Sequence, residues 1–272
     1  MTADHYAGAG RRWATGATLV YGPIAAELVA MSPHPLAGCT VLDAGAGTGA
    51  VSSALAARRA HPIAMDQSIG MLAWNASARP PCVVADISAL PLPAGRLDAA
   101  VAAFVLNHLM QPSAGLAELA RVTRPGGAVL AAVFSNASRS QARDQVDAVA
   151  QEAGWQVPDW YTDLRANAVP ILGTTGAMRA AANAAGLACV VVEERPVDVG
   201  VTEPEQLVSY RLGQPLFACW LDRIGPRRAA EVASHAADVI RPTMQPYRPI
   251  VVFLAATTPA GSTEHPDLDA NS

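Results

Sequence analysis

The chain has 272 residues, 51% hydrophobic and 15% charged, which allows a large packed core and argues against extensive disorder. Its net charge is −4 and all nineteen basic residues are arginine, so the basic excess of a nucleic-acid binder is missing. The longest unbroken apolar run, Ala99 to Leu106, falls far below the roughly 18 residues of a membrane helix, and the opening MTADHYAGAGRRW lacks the pattern of a secretory signal, so a soluble, cytoplasmic protein is expected.

In chain order, ATLVYGPIAAELVAM (17–31) has helical apolar spacing interrupted at Gly22-Pro23, and predicts one or two helices within an N-terminal segment, 1–35. A core over 36–135 then begins. CTVLDA reads as a strand, followed by a glycine turn and a helix through about Arg59. HPIAMD reads as a second strand, 68–78 as a helix, PCVVAD as a third strand, AAVAAFVL as a buried fourth, PSAGLAELARVTR as a helix and GGAVLAAVFS as a fifth strand. Continuous apolar strands alternating with helices predict an α/β, Rossmann-like sheet, mostly parallel, with helices on both faces.

The rhythm changes after residue 135. A cap insertion over 136–173 holds a helix ending at Gly154 and then the aromatic, irregular WQVPDWYTDLRANAVPILG. Residues 174–199 return to the core, with a helix capped by Thr174 or Thr175 and closed by Gly186, then a sixth strand. A helical cap insertion over 200–246 leads to a seventh strand in 247–258 and a polar, frayed tail, 259–272. Cys39, Cys82, Cys189 and Cys219 are too dispersed for a metal site and read as reduced, mostly buried small hydrophobes; no metal is expected.

The turn VLDAGAGTGA fits two cofactor classes. Gly45, Gly47 and Ala50 satisfy the dinucleotide pattern, whereas Gly45, Gly47 and Gly49 after Asp43 satisfy another. In both, a strand delivers backbone N–H groups at a helix N-terminus, where glycine permits close approach and positive φ. A carboxylate at Asp43 repels a pyrophosphate and attracts an ammonium group, although an acid there can also cap the turn. Asp66 ends the second strand where ribose hydroxyls are held in both classes. Asp86 ends the third, where it suits an adenine amine or caps the following segment.

With VLDAGAGTG, PIAMD, VVADISALPLPAGRLDAAV, FVLNHL and RVTRPGGAVLAAVFS, residues 15–135 resemble the class I S-adenosylmethionine-dependent methyltransferases, specifically the small-molecule type related to quinone-biosynthesis enzymes. The resemblance implies a seven-stranded sheet whose last strand is antiparallel, and S-adenosyl-L-methionine as cofactor with S-adenosyl-L-homocysteine as product. It implies that Asp43, Gly45, Ala46, Gly47 and Gly49 hold the methionine moiety. Asp66, with Gln67 and Met71 beyond it, would serve the ribose side, Asp86 and Ile87 the adenine, and Phe104 to His108 would lie near the sulfonium.

Methyl transfer from an activated donor needs positioning more than a triad, and a base only where the acceptor loses a proton. His108 is the base candidate and Asn107 an orienting one, though each can instead finish the strand or pack locally. Six of the fourteen aromatics lie in the two insertions, and Trp155, Trp160, Tyr161, Tyr210 and Arg211, with Tyr21 from the N-terminal segment, are expected to line an apolar acceptor pocket. The expected function is methylation of an O, N or C atom of a small, largely apolar metabolite, with specialised metabolism as one setting, by a monomer or homodimer. Two rivals remain: a methyltransferase-like protein that binds the cofactor without transferring methyl, and an NAD(P)-dependent oxidoreductase. The latter is weakened by Asp43 and by the absence of lysine.

Overall fold

The computed structural model describes residues 4–6 and 8–260. Two helices, α1 (Gly10–Gly16) and α2 (Thr18–Ala30), precede the core; Pro23 is accommodated inside α2 rather than ending it. The core runs β1 (Thr40–Ala44), α3 (Ala50–Ala57), β2 (His61–Asp66), α4 (Ile69–Leu72), β3 (Cys82–Val84), β4 (Leu97–Ala103), α5 (Pro112–Val122) and β5 (Thr123–Phe134). Then come α6 (Gln141–Glu152), α7 (Asp159–Asn167), α8 (Thr175–Ala184), β6 (Ala188–Pro196), α9 (Pro204–Leu212), α10 (Pro215–Ile240) and β7 (Ile250–Thr257).

The seven strands form one sheet in the order β3-β2-β1-β4-β5-β7-β6, with β7 antiparallel to both neighbours. Strand period 2 sends alternate residues to opposite faces. Val41, Val101, Leu130 and Phe253 join one apolar cluster with α2, α3, α6, α9 and α10, while Leu42, Ala102, Val129 and Leu254 join another with α5 and α8. Both faces are covered, so the central strands are apolar throughout. Strand order reverses between β1 and β4, and open α/β sheets bind ligands at the strand C-termini beside such a switch point.

Local chemistry accounts for most element ends. Pro112 opens α5 at a position whose N–H would be unpaired anyway. The Ser140 and Thr174 hydroxyls accept the N–H groups of Arg143 and Ala177 to cap α6 and α8. α10 breaks at Gly225 (φ 76°), just before Pro226, which cannot donate the next helical bond.

Several expectations need correction. The helix expected over 68–78 shrinks to α4 and a separate 3-10 turn (Ala76–Ala78), because Asn75 adopts a left-handed φ of 51°. The fourth strand stops at Ala103 rather than continuing to Leu106, since Phe104 has φ 59°. The stretch expected to be irregular contains α7, with Asp159 in its first turn and Arg165 in its last, as the helix dipole favours. β3 is an exposed edge strand. Cys82, Cys189 and Cys219 are exposed and Cys39 is half-buried; all four are free, not the buried residues expected. Most of the polar tail, from residue 261, lies outside the described residues.

Candidate functional site

A cavity of about 1540 Å³ opens at the C-terminal ends of β1, β2, β3 and β4 and extends under the helical layer. At its sheet end lies the glycine turn. Gly45 has φ 71°, and a Cβ there would fall 2.5 Å from the Cβ of Val105, so the loops after β1 and β4 meet with room only for glycine. Gly47 and Gly49 also have positive φ, 53° and 99°. The turn is tied down by Gly45 and Ala46 N–H groups donating to Met65 O at 2.7 and 2.9 Å.

Carboxylates of Asp43, Asp66 and Asp86 face this end, and Asp4, which accepts the Ser68 hydroxyl at 2.9 Å, joins them from the N-terminal segment. Asp43 is fully buried; its Oδ2 accepts the Ser52 N–H at 2.8 Å and the Ser52 hydroxyl at 2.6 Å. Burial raises its pKa to about 6 despite those bonds. Asp66 accepts the Gly47 N–H at 2.7 Å and the Ser68 N–H at 2.8 Å, and burial raises its pKa as well. Asp86 is exposed and accepts the Ser88 N–H at 2.8 Å, beside buried Ile87. Asp43 and Asp86 therefore cap locally while still lining the cavity. Ala46, Gln67 and Met71 line it too.

Arg79 escaped the sequence reading. Its Nη1 donates to Gly47 O at 2.7 Å and Met71 O at 3.1 Å, which places a guanidinium behind the turn, where it acts on Asp43 and Asp66. No local pattern marks it, because the chain from the 3-10 turn brings it back to the loop.

Past β4, the left-handed backbone of Phe104 turns the chain into a short 3-10 turn, Leu106–His108. Such a φ is costly for an aromatic residue and is held here by Phe104 N–H donating to Ala132 O at 2.7 Å. The ring sits between Tyr21 (centroids 4.9 Å) and Phe134 (4.4 Å). Asn107 Oδ1 is buried without a hydrogen-bond partner. His108 lies 3.5 Å (Nε2) from the hydroxyl of Tyr6, a second residue the sequence reading missed, and burial lowers its pKa to about 4. Imidazole is thus neutral near pH 7, so it can accept a hydrogen bond but is a weak base.

The acceptor-pocket candidates divide. Tyr21, Trp160, Tyr161 and Tyr210 line the cavity, and Tyr21 stacks on Trp13 at 5.1 Å. Trp155 does not line it: the indole is buried against Phe217 at 4.2 Å and donates to Leu216 O at 3.2 Å, pinning α6 to α10. Arg211 touches the cavity, but its guanidinium is committed to Asp147, with Nε and Nη2 each 2.6 Å from a carboxylate oxygen. Among the described residues, no group of three or more His, Cys, Asp or Glu could hold a metal, and no helix is long and apolar enough to cross a membrane.

A family model described as a methyltransferase domain matches residues 42–131, the stretch from the glycine strand to the fifth strand. The chain is 46% identical over 95 residues to a demethylmenaquinone methyltransferase of Mycolicibacterium gilvum, a match spanning 35% of this chain and 42% of that protein. The seven-stranded, mostly parallel sheet gives the chain the Rossmann-like fold of its structural neighbours. By structure the chain is similar to the cyclase SpnF, with TM-score 0.55 and 19% identity over 90% of this chain and 82% of that one. It is equally similar to a Haemonchus contortus phosphoethanolamine N-methyltransferase solved with S-adenosylhomocysteine, with TM-score 0.55 and 15% identity over 87% of this chain and 52% of that one. The stretch similar to a methyltransferase domain therefore lies in a fold shared with a cyclase, and the reaction must be argued from the site.

Proposed function

We propose that the chain is an S-adenosylmethionine-dependent methyltransferase acting on a small, largely apolar metabolite. The observation that carries this reading is the charge of the glycine-turn end. Asp43, Asp66 and Asp86 line it, and burial holds Asp43 and Asp66 above their usual pKa, so the site favours a cationic ligand and opposes a pyrophosphate. The unpartnered Asn107 Oδ1 adds a buried acceptor on the same cavity. The residues present thus fit an amino-acid-bearing sulfonium better than a dinucleotide.

In this reading the turn at Gly45–Gly49 and Asp43 take the amino-acid portion, Asp66 the ribose hydroxyls, and Asp86 with Ile87 the adenine. When bound, the cofactor supplies an electrophilic methyl group that needs no acid catalyst to leave its sulfonium. The chain's work is positioning and exclusion of water. Phe104, Phe134, Tyr21 and Trp13 form a continuous aromatic wall beside the 3-10 turn, against which an apolar acceptor packs. Asn107 and neutral His108 orient the acceptor's nucleophilic atom, with Tyr6 holding the imidazole. The match to a demethylmenaquinone methyltransferase spans 35% of this chain and 42% of that protein, so its acceptor does not carry over by similarity.

The test is transfer of isotopically labelled methyl from S-adenosylmethionine to members of a panel of hydroxylated and aminated apolar aromatics, each assayed against an Asp66→Ala control. Transfer that the control abolishes supports the reading. Consumption of an acceptor without label uptake would favour a non-methylating reaction on the same fold.

A further inference from the structure

Beyond the aromatic wall, the inner end of the cavity is built around arginine. Arg211 and Arg143 both line it. Arg211 is satisfied by Asp147 on Nε and Nη2 and by Gln214 Oε1 on Nη1 at 2.8 Å. Arg143 has no carboxylate within salt-bridge distance among the described residues. Its only hydrogen bond there from the side chain is Nη1 to the Tyr247 hydroxyl at 3.2 Å, and its Nε is shut off from solvent without an acceptor.

Arg211 thus takes the Asp147 carboxylate, and Arg143 is left without an ion-pair partner among the described residues in a largely apolar enclosure. Burial raises the pKa of Tyr21 and Tyr210, so these two phenols stay neutral and do not offset its charge. A guanidinium stays charged under these conditions and keeps its unused donors. Arg143 sits in the first turn of α6, whose end is capped by the Ser140 hydroxyl on the Arg143 N–H and carries one acid, the exposed Asp144. Arg139, exposed and without an ion-pair partner among the described residues, flanks the same helix end and lines the cavity. A buried, half-satisfied cation at this place is costly for folding alone and well placed for an anion.

We propose that the inner end of the cavity binds an acidic group of the acceptor, a carboxylate or an equivalent oxyanion, through the guanidinium of Arg143, so that the acceptor is an apolar acid. This rests on the reading of the sheet end as the cofactor site. Arg143 connects to the reacting region through Tyr247, Tyr210 (ring centroids 5.7 Å) and Tyr21 (6.1 Å), which packs on Phe104. An acid held there has its apolar body against the aromatic wall and its far end toward Asn107 and His108.

The probes are 2-naphthoate and decanoate with their neutral amides, titrated by calorimetry into the full chain saturated with S-adenosylhomocysteine and, separately, into the chain alone. The native chain is expected to bind at least one acid about tenfold or more tighter than its amide, as a charge-assisted bidentate contact requires. Arg143→Gln should remove that preference while leaving the amide within about twofold; Arg143→Lys should restore part of it, since charge returns without the fork. Arg165→Gln, at an exposed cavity residue stacked near Tyr161, should leave the preference intact. Equal binding of acid and amide, no binding of either acid, or a preference that survives Arg143→Gln would overturn the proposal. The native acid–amide comparison decides the matter even if Arg143→Gln does not fold. Loss of S-adenosylhomocysteine binding with the acid preference intact would instead count against the cofactor reading alone.

Discussion

Asp43 is where stability and binding should oppose one another. Its carboxyl is fully buried, and its pKa rises from 3.8 to about 6. Between those values the folded chain holds a proton that the unfolded chain has released, so the stability associated with this group is whole below about pH 3.8 and is lost as pH rises through about 6. The shift of about two units corresponds to about 3 kcal/mol. Asp43→Asn removes the charge and keeps an acceptor for the two Ser52 bonds, at the cost of a buried amide N–H₂ whose unpaired donors cost about 1–3 kcal/mol at every pH. The constant cost cancels on comparing pH values. Urea unfolding of native and variant chains should therefore show the variant gaining about 3 kcal/mol relative to the native between about pH 4 and about pH 7. At about pH 7 the same variant should bind S-adenosylmethionine roughly tenfold or more weakly, because the ammonium loses its carboxylate. A stability gap independent of pH, with undiminished binding, would refute the electrostatic reasoning.

Gly45→Ala should destabilise the chain by about 2–4 kcal/mol in denaturant titration, combining a left-handed alanine with a Cβ forced against Val105; a loss under about 1 kcal/mol would mean that the turn readily rearranges. Asp86→Ala should weaken S-adenosylhomocysteine binding by about 1–3 kcal/mol with little change in melting temperature, since Asp86 is exposed, and unchanged affinity would remove its adenine role. For His108→Ala we expect reduced turnover with nearly intact cofactor binding. Because burial holds the native imidazole near 4, it stays neutral above about pH 5, so the native rate should show no His108 limb between about pH 6 and 8; a limb near 6.5 abolished by the variant would contradict the buried geometry.

The sheet and the cofactor end were readable in the sequence because their signals are local. A run such as CTVLDA followed by Gly45, Gly47 and Gly49 specifies strand, turn and helix within one stretch, and Asp43, Asp66 and Asp86 each close a strand or the stretch just after it. The inner end of the cavity was not readable, because it is assembled from distant segments. Tyr6 reaches His108 across 102 positions and Arg143 reaches Tyr247 across 104. Arg143 did leave a trace: it precedes Val146 by three positions and Ala150 by seven, on the buried side of α6, where an aliphatic residue is the ordinary occupant. Trp155 was misjudged for the opposite reason: an indole suits a binding pocket, yet its N–H is consumed by Leu216 O, which only the packed structure reveals, while Arg211 does line the cavity with its guanidinium held by Asp147.

The central claim, that the acidic glycine turn selects a sulfur nucleoside bearing an ammonium group over a pyrophosphate, is tested most directly by calorimetric titration of the full chain. S-adenosylmethionine and S-adenosylhomocysteine should bind with micromolar affinity, about −8 kcal/mol, while NADH and NADPH give no heat. Binding of the nicotinamide nucleotides with silence from both sulfur nucleosides would contradict it.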